Sequence, residues 1–301
     1  MGLAEKKFKN GEIIVKEGDV GTSFFKIVSG SALVYAGFEN TDPLKIAVLN
    51  KGEYFGEMAI IESYPRNATV IAKGEVSVVE ISEKEMYEYF RENPEEIIVI
   101  MKHLGSRIQA METDYEDAQR LLKELQEADA AKKKSFFSRI KKHVDKYQSN
   151  KDSDITVPNA DPLRETLKGT ADEGFGDIEL YDKGSVIYEE GDHSNSMYIL
   201  HVGTVGMYKN YGKADEAKVD EAVEVSFFGE MGMIADEPRK VTAVAEVDET
   251  YVEVIDPDNL EAIFQSCPIK IIMILRYLSY RLRKLDYDFI TICKRITETY
   301  G

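Results

Sequence analysis

Hydrophobic and polar residues alternate in short runs over two stretches of the chain, and each stretch is followed by a longer run with helical spacing. Gly11 to Gly18 predicts a strand and then a turn. Phe24 to Val28 predicts a strand stopped by Ser29-Gly30, and Ser31 to Ala36 resumes it. Lys45 to Leu49 follows, Asn50-Lys51-Gly52 turns the chain, and Ala68 to Ala72 and Val76 to Ile81 complete the set. Strands this short, about 8–12 residues apart and punctuated by turn residues, predict a barrel or sandwich. Beyond them Leu104, Ile108, Met111, Tyr115, Ala118, Leu122 and Leu125 recur at alternating steps of 4 and 3, and Leu278, Leu282, Leu285, Phe289, Ile292 and Ile296 do the same. That is the a/d seam of a helix with a helical partner, beyond what packing on a roll alone requires.

The chain repeats itself at an offset of 173. Glu17-Gly18-Asp19 matches Glu190-Gly191-Asp192, Gly30 matches Gly203, Phe55-Gly56-Glu57-Met58 matches Phe228-Gly229-Glu230-Met231, Pro65-Arg66 matches Pro238-Arg239 and Thr69 matches Thr242. The register does not slip, so the unit is duplicated rather than a short-period solenoid. The expected class is α+β: two β-roll (jelly-roll-like) barrels, each followed by a long helix, with the two helices paired as a coiled coil. The expected divisions are 1-94 for the first roll, 95-146 for its helix with a basic extension, 147-176 for a linker, 177-266 for the second roll and 267-301 for the C-terminal helix.

Composition narrows the chemistry. The chain has 301 residues and a formal charge of -17, which argues against general affinity for nucleic acid phosphates. An anionic small molecule would have to be held by a few local donors. Cys267 and Cys293 lack metal-ligand spacing and read as reduced thiols of a cytoplasmic protein. No apolar run approaches a membrane span, and Met1 to Glu5 show no secretory h-region. No nucleophile–base pair, P-loop or zinc pattern is present, so neither catalytic nor metal residues are expected.

The densest signal is one segment, present twice. The first copy holds Phe55, Gly56, Glu57, Met58 and Ala59, then an apolar turn, then Pro65, Arg66, Asn67 and Ala68. The second holds Phe228, Gly229, Glu230, Met231 and Gly232, then Pro238, Arg239, Lys240 and Val241. Gly-Glu is followed by a small residue two positions after the Glu and by Pro-Arg ending nine positions after it. Small residues let backbone N–H groups approach an anion at the start of a short helix. The arginine adds a fixed charge and a planar fork of donors.

This segment resembles the phosphate-binding cassette of the cyclic-nucleotide-binding domain family, which includes catabolite activator proteins and the regulatory subunits of cyclic-nucleotide-dependent kinases. The resemblance covers most of both repeats. It implies cAMP, with cGMP as competitor, as ligand and no other cofactor. Arg66 and Arg239 would bind the cyclic phosphate, and Glu57 and Glu230 the ribose 2′-hydroxyl. Where the family usually has a small residue after the arginine, this chain has Asn67, which can donate to a phosphate oxygen, and Lys240, whose charge would join the phosphate or whose bulk would alter the pocket. In catabolite activators the seam helix also covers the base, at positions matching Met111, Glu112, Leu285 and Asp286. A carboxylate there suits the donors of guanine better than the adenine edge.

Lys132 to Lys142 is basic and amphipathic, as a continuation of the first helix, and is expected to pair with the acidic remainder of the chain rather than with a membrane or nucleic acid. Gln148 to Gly176 reads as a linker with a short helix near Leu163 to Leu167. After Ile296 only Thr297 to Gly301 remain, too few for a helix-turn-helix, and about seven residues precede the first strand, too few for a kinase-inhibitory segment. The function expected is a cyclic-nucleotide sensor, not an enzyme, that signals to an unidentified effector protein. The helices would pair internally, so a monomeric pseudo-dimer is expected over a homodimer. The competing readings are a non-binding scaffold of the same fold and a transcription-related regulator.

Overall fold

The computed structural model describes residues 4–39, 43–57, 65–127, 137–150, 165, 177–223, 225–235 and 237–300. The first roll is one antiparallel sheet. Its strands are β1 (Glu5–Phe8), β2 (Ile13–Val15), β3 (Ser23–Ala36), β4 (Leu44–Asn50), β5 (Tyr54–Phe55) and β6 (Thr69–Ser82). The order is β1-β6-β3-β4, with β2 pairing β6 and β5 pairing β3. Alternate residues turn inward to form the core: Phe25, Ile27 and Ala32 of β3, Leu49 of β4, and Val70, Ala72, Val76 and Val78 of β6.

The sequence suggests that Ser29-Gly30 ends a strand. Instead β3 bends there and continues, with register shifts at Ile27/Ser29 and Ser29/Ser31. Gly30 has φ 82°, and a Cβ on it would lie 2.2 Å from the Glu75 carbonyl oxygen, so only glycine lets the two long strands cross this closely.

The second roll comprises β7 (Asp177–Tyr181), β8 (Val186–Tyr188), β9 (Met197–Val202), β10 (Thr204–Lys209), β11 (Ala217–Val223), β12 (Ser226–Phe228), β13 (Thr242–Ala245) and β14 (Thr250–Ile255). They form two four-stranded antiparallel sheets, β11-β10-β13-β8 and β12-β9-β14-β7. Here the bend at Gly203 divides what is one strand in the first roll, between β9 and β10. The core joins both sheets through Tyr198, Leu200, Val205, Ala243 and Val252.

The helices are α1 (Glu83–Glu92), α2 (Glu95–Glu127), α3 (Phe137–Asn150), α4 (Glu230–Ile234), α5 (Leu260–Ser266) and α6 (Pro268–Tyr300). Compact units are not contiguous in sequence. One is Met1–Met86, Arg107–Pro158 and Ser279–Gly301; the other is Tyr87–Ser106 and Asn159–Leu278. Each roll therefore shares a unit with part of both long helices.

Within the first unit α2 and α6 pack together, as the seams suggest. Ala118, Phe289, Ile290 and Cys293 form a buried cluster with Met111, Tyr115 and Ile292 at its margin. Two expectations are corrected. The basic stretch does not extend α2 in line. Residues 128–136 lie outside the described ones, but α3 folds back: Lys142 Nζ is 3.1 Å from Asp114 Oδ1, whereas 28 residues of straight helix would span about 42 Å. Ile140 joins Leu121, Leu125 and Ile296 in one cluster. The second correction follows from the first. With a third helix over it, α2 needs a wider apolar stripe, so Leu121 is fully buried beside the seam position Leu122, which is only half-buried. The expected linker starts later as well, because Gln148 to Asn150 are helical; the short helix near Leu163 to Leu167 lies outside the described residues apart from Glu165.

In the second unit α6 is pinned to its roll by ions rather than by packing alone. Glu253 of β14 and Lys270 of α6 are fully buried, with Lys270 Nζ 3.0 Å from both carboxylate oxygens, and His201 Nε2 lies 2.8 Å from Glu253 Oε2. Burial pushes the Glu253 carboxyl up, but the His201 and Lys270 hydrogen bonds outweigh it and hold it below the ordinary carboxylate range. Among the described residues no helix is long and apolar enough to cross a membrane.

Two measurements check this packing. Leu121→Ala is expected to cost about 2–5 kcal/mol in urea unfolding, and Leu122→Ala clearly less; equal costs would restore the sequence-predicted seam. Glu253 has a lowered folded-state pKa, so its stabilisation is complete above the unfolded carboxylate value and is lost as pH falls through the folded value. Lys270→Met strands a buried carboxylate and is expected to cost about 3–5 kcal/mol at neutral pH and less in acid. A pH-independent cost would contradict the assignment.

Candidate functional site

Each candidate site is built where the turn after β2 or β8 meets the Pro-Arg that ends the cassette. In the first roll Gly18 N donates to Arg66 O at 2.9 Å and Arg66 N donates to Asp19 O at 2.9 Å. In the second, Gly191 N donates to Arg239 O at 2.8 Å and Arg239 N to Asp192 O at 2.9 Å. Glu17 N donates to Thr69 Oγ1 at 3.1 Å and Glu190 N to Thr242 Oγ1 at 3.0 Å. The Glu17 carboxylate accepts from Gly37 N at 2.7 Å and that of Glu190 from Asn210 N at 2.9 Å. Every one of these pairs repeats at the offset of 173. The Glu-Gly-Asp turn is therefore a clamp on the arginine backbone, which is why it recurs in the sequence.

The clamp aims each arginine inward. Arg66 is 8% exposed and Arg239 5%. Arg66 Nη1 donates to Gly56 O and Nη2 to Ser23 O; Arg239 Nη1 donates to Gly229 O and Nη2 to Ser196 O at 2.7 Å. Gly56 and Gly229 have φ of 80° and 69°, the left-handed region that turns these carbonyls toward the guanidinium. Stacked rings floor both sites, Phe25 on Phe55 at 5.1 Å and Tyr198 on Phe228 at 5.0 Å. Desolvation lowers the Arg66 pKa, opposed by the carboxylates of Glu57, Glu80 and Asp19. A guanidinium has five N–H donors, so two carbonyl bonds leave capacity for an anion.

Both predicted glutamates are buried, and the Glu57 carboxylate acts on the Arg66 guanidinium. Glu57 is 1% exposed and Glu230 2%. Glu230 opens α4, in which Gly232 is required: a Cβ there would lie 2.5 Å from Arg239 Nη1. The small residue after the Glu thus makes room for the arginine as well as for backbone donors. Met58 and Ala59, the matching part of the first cassette, lie outside the described residues.

Pro65, Asn67, Pro238 and Lys240 are exposed, and Ala68, Met231 and Val241 are half-buried. Lys240 is exposed: its Nζ lies 3.4 Å from Glu237 Oε2 with a side chain 55% exposed. Met111 lies at the margin of the helix cluster and Glu112 pairs with Arg281 of α6. Leu285 is half-buried. Burial pushes the Asp286 carboxyl up, against Lys146, Arg107 and Arg283.

Sequence reasoning missed three contributors. Arg107 of α2 reaches Glu57, Nη1 to Oε1 at 3.2 Å; its alignment with Arg281 across the repeat was the available signal. Ser194 Oγ accepts from Arg239 Nη2 at 2.8 Å, where the first roll has Gly21. Tyr188, matching Val15, lies under Arg239 with its ring centre 4.3 Å from Cζ. Among the described residues no cluster of His, Cys, Asp or Glu could hold a metal ion.

The family described as Cyclic nucleotide-binding domain matches residues 5–93 and 178–267. The cAMP-dependent protein kinase regulatory subunit of Dictyostelium discoideum is 25% identical over 250 residues, covering 81% of this chain and 61% of that protein. A regulatory subunit from Blastocladiella emersonii is 22% identical over 80% of this chain and 47% of its own length. The cGMP-dependent protein kinase of Plasmodium berghei is 44% identical over 79 residues, 26% of this chain and 9% of that protein. The chain thus spans about half to three fifths of the length of these two regulatory subunits. Among solved structures, the regulatory domain of Toxoplasma gondii PKA with cAMP covers 90% of this chain and 82% of its own, at 18% identity and a TM-score of 0.28. The two family matches fall one on each roll and together take in more than half of the residues, and the chain belongs to the cyclic nucleotide-binding domain family, in two tandem copies.

Proposed function

We propose that the chain is a cyclic-nucleotide sensor that binds one cAMP in each roll and signals by a change of shape to a separate protein. The observation that carries this reading is the pair of buried arginines, each clamped by its turn and floored by stacked rings, with a buried glutamate in each cassette and the same hydrogen bonds at one constant offset. Arg66 and Arg239 take the cyclic phosphate; Glu57 and Glu230 take the ribose 2′-hydroxyl. The roll boundaries are 1-94 and 177-266, the rest being helices and linker.

The base preference follows from the helix carboxylates. Glu112 is engaged by Arg281, so it is not an unengaged acceptor for guanine, and this favours cAMP as the ligand. Similarity to kinase regulatory subunits supports a protein kinase catalytic chain as the partner and signalling rather than catalysis as the role. Pairing of α2 with α6 inside the first unit supports an internal pseudo-dimer in a monomer. Two buried cysteine thiols, Cys267 and Cys293, support a reducing, cytoplasmic setting.

Thermal shift tests the reading site by site. A ligand at 100 times its Kd that binds only the folded state adds about 2.7 kcal/mol of stability. Arg66→Ala and Arg239→Ala are each expected to weaken one site by about 100-fold or more, from two charge-assisted hydrogen bonds, and to leave the other intact. No shift with cAMP or cGMP in the unmodified chain would leave a non-binding scaffold as the better reading. Arg107→Ala frees the Glu57 carboxylate of one partner and is expected to alter cAMP affinity at the first site by about tenfold, with the second unchanged; equal effects at both sites would remove Arg107 from the pocket.

A further inference from the structure

Because the two rolls are copies of one unit, the outer face of each serves as a reference for the other. In the first roll the register sets Ile13 of β2 beside Ile71 of β6, Ile71 beside Leu33 of β3, and Leu33 beside Val48 of β4. Their sequence neighbours Val70, Ala72, Ala32 and Leu49 belong to the core. The four aliphatic residues therefore form a row on the opposite face. Ile13 is 45% exposed, Val48 36% and the adjoining Ile46 51%. The row crosses four strands, about 14 Å at their usual spacing. Two residues along the strands on one side stands Lys73, and on the other side Lys45, both exposed.

The same row in the second roll reads Val186, Val244, Gly206 and Glu221. Leu33 has become Gly206, Val48 has become Glu221, and Lys73 has become Glu246. Lys218, the match of Lys45, bridges Glu221 and Glu246, the latter at 2.8 Å, and Tyr208 Oη donates to Glu246. A Cβ on Gly206 would meet Glu246 Oε1 at 2.4 Å, so this network lies across the row. One face is closed by its own charges. The other is apolar, exposed at its two ends, Ile13 and Val48, half-buried at Leu33 and buried at Ile71, and bracketed by two lysines.

We infer that the outer face of the first roll is a docking surface for an acidic amphipathic helix of a partner protein. A row of about 14 Å matches about nine residues of helix, and strand geometry sets Lys45 and Lys73 about 14 Å apart along the strands, room for a helix about 10–12 Å wide. Its aliphatic stripe would cover Ile13, Leu33 and Val48, and Asp or Glu on its two flanks would meet the lysines. Charge decides the occupant: two copies of this face brought together would set lysine against lysine.

The test uses the full chain and two labelled synthetic helices of about 18 residues, each with one leucine stripe, flanked in one by Glu and in the other by Lys. Fluorescence anisotropy is expected to show saturable binding of the Glu-flanked helix, at least about tenfold tighter than the Lys-flanked one. Methyl NMR shifts should concentrate at Ile13, Leu33 and Val48. Val48→Glu with Lys73→Glu, which gives the first roll the residues of the second, is expected to weaken binding by about tenfold or more while the nucleotide-induced thermal shift stays unchanged. Lys45→Glu with Lys73→Glu, confined to exposed positions, should reverse the preference between helices, and it keeps the test open should the first variant fold poorly. Equal binding of both helices, insensitivity to both variants, or methyl shifts elsewhere would overturn the inference. So would self-association of the chain in sedimentation that Val48→Glu removes, since that would make a second copy the occupant. Because nucleotide binding is read separately, its failure would be distinguishable from failure of the docking surface.

Discussion

A buried guanidinium cannot shed its charge and must be surrounded by acceptors. Much of each roll follows from that requirement at Arg66 and Arg239. The Glu-Gly-Asp turn clamps the arginine backbone. The left-handed glycine of the cassette turns a carbonyl onto Nη1, and the start of β3 or the serine before β9 offers a second to Nη2. The second-cassette helix can approach because Gly232 has no side chain. A site held this way keeps its donors oriented without a ligand, which lowers the cost of ordering it on binding.

The two copies satisfy the same requirement with different surroundings. Arg239 has Tyr188 beneath it and the Ser194 hydroxyl beside it, whereas at the matching positions Arg66 has Val15 and Gly21. In the first unit the balance comes from carboxylates, and one of them, Glu57, is itself held by Arg107 on α2. A ligand hydroxyl that reorients Glu57 would therefore act on a side chain anchored in the helix that packs on α6. This gives the first site a direct physical link to the helix cluster.

The duplication, the antiparallel rolls and the inward arginines were legible in the sequence because glycine, proline and charged residues at fixed spacing have few structural alternatives. The helices were legible as seams, and Met111, Tyr115, Ala118 and Phe289 do lie in the helix cluster. The fold-back of α3 was not legible. A basic amphipathic run shows which face is apolar but not which helix it meets, and only the position of Ile140 against Leu121 and Leu125 reveals the third helix. Lys240 adjoins Arg239 in sequence, yet it is exposed where Arg239 is buried, a difference that proximity in the motif does not reveal. Arg107, Tyr188 and Ser194 come from other elements and carry no local motif.

Two nucleotide sites per chain, built on the same arginine cradle, are the arrangement proposed for this protein. Isothermal titration of the unmodified chain with cAMP tests it most directly. Two nucleotides are expected to bind per chain, with cGMP binding more weakly. A stoichiometry of one or zero, or a preference for cGMP, would contradict it.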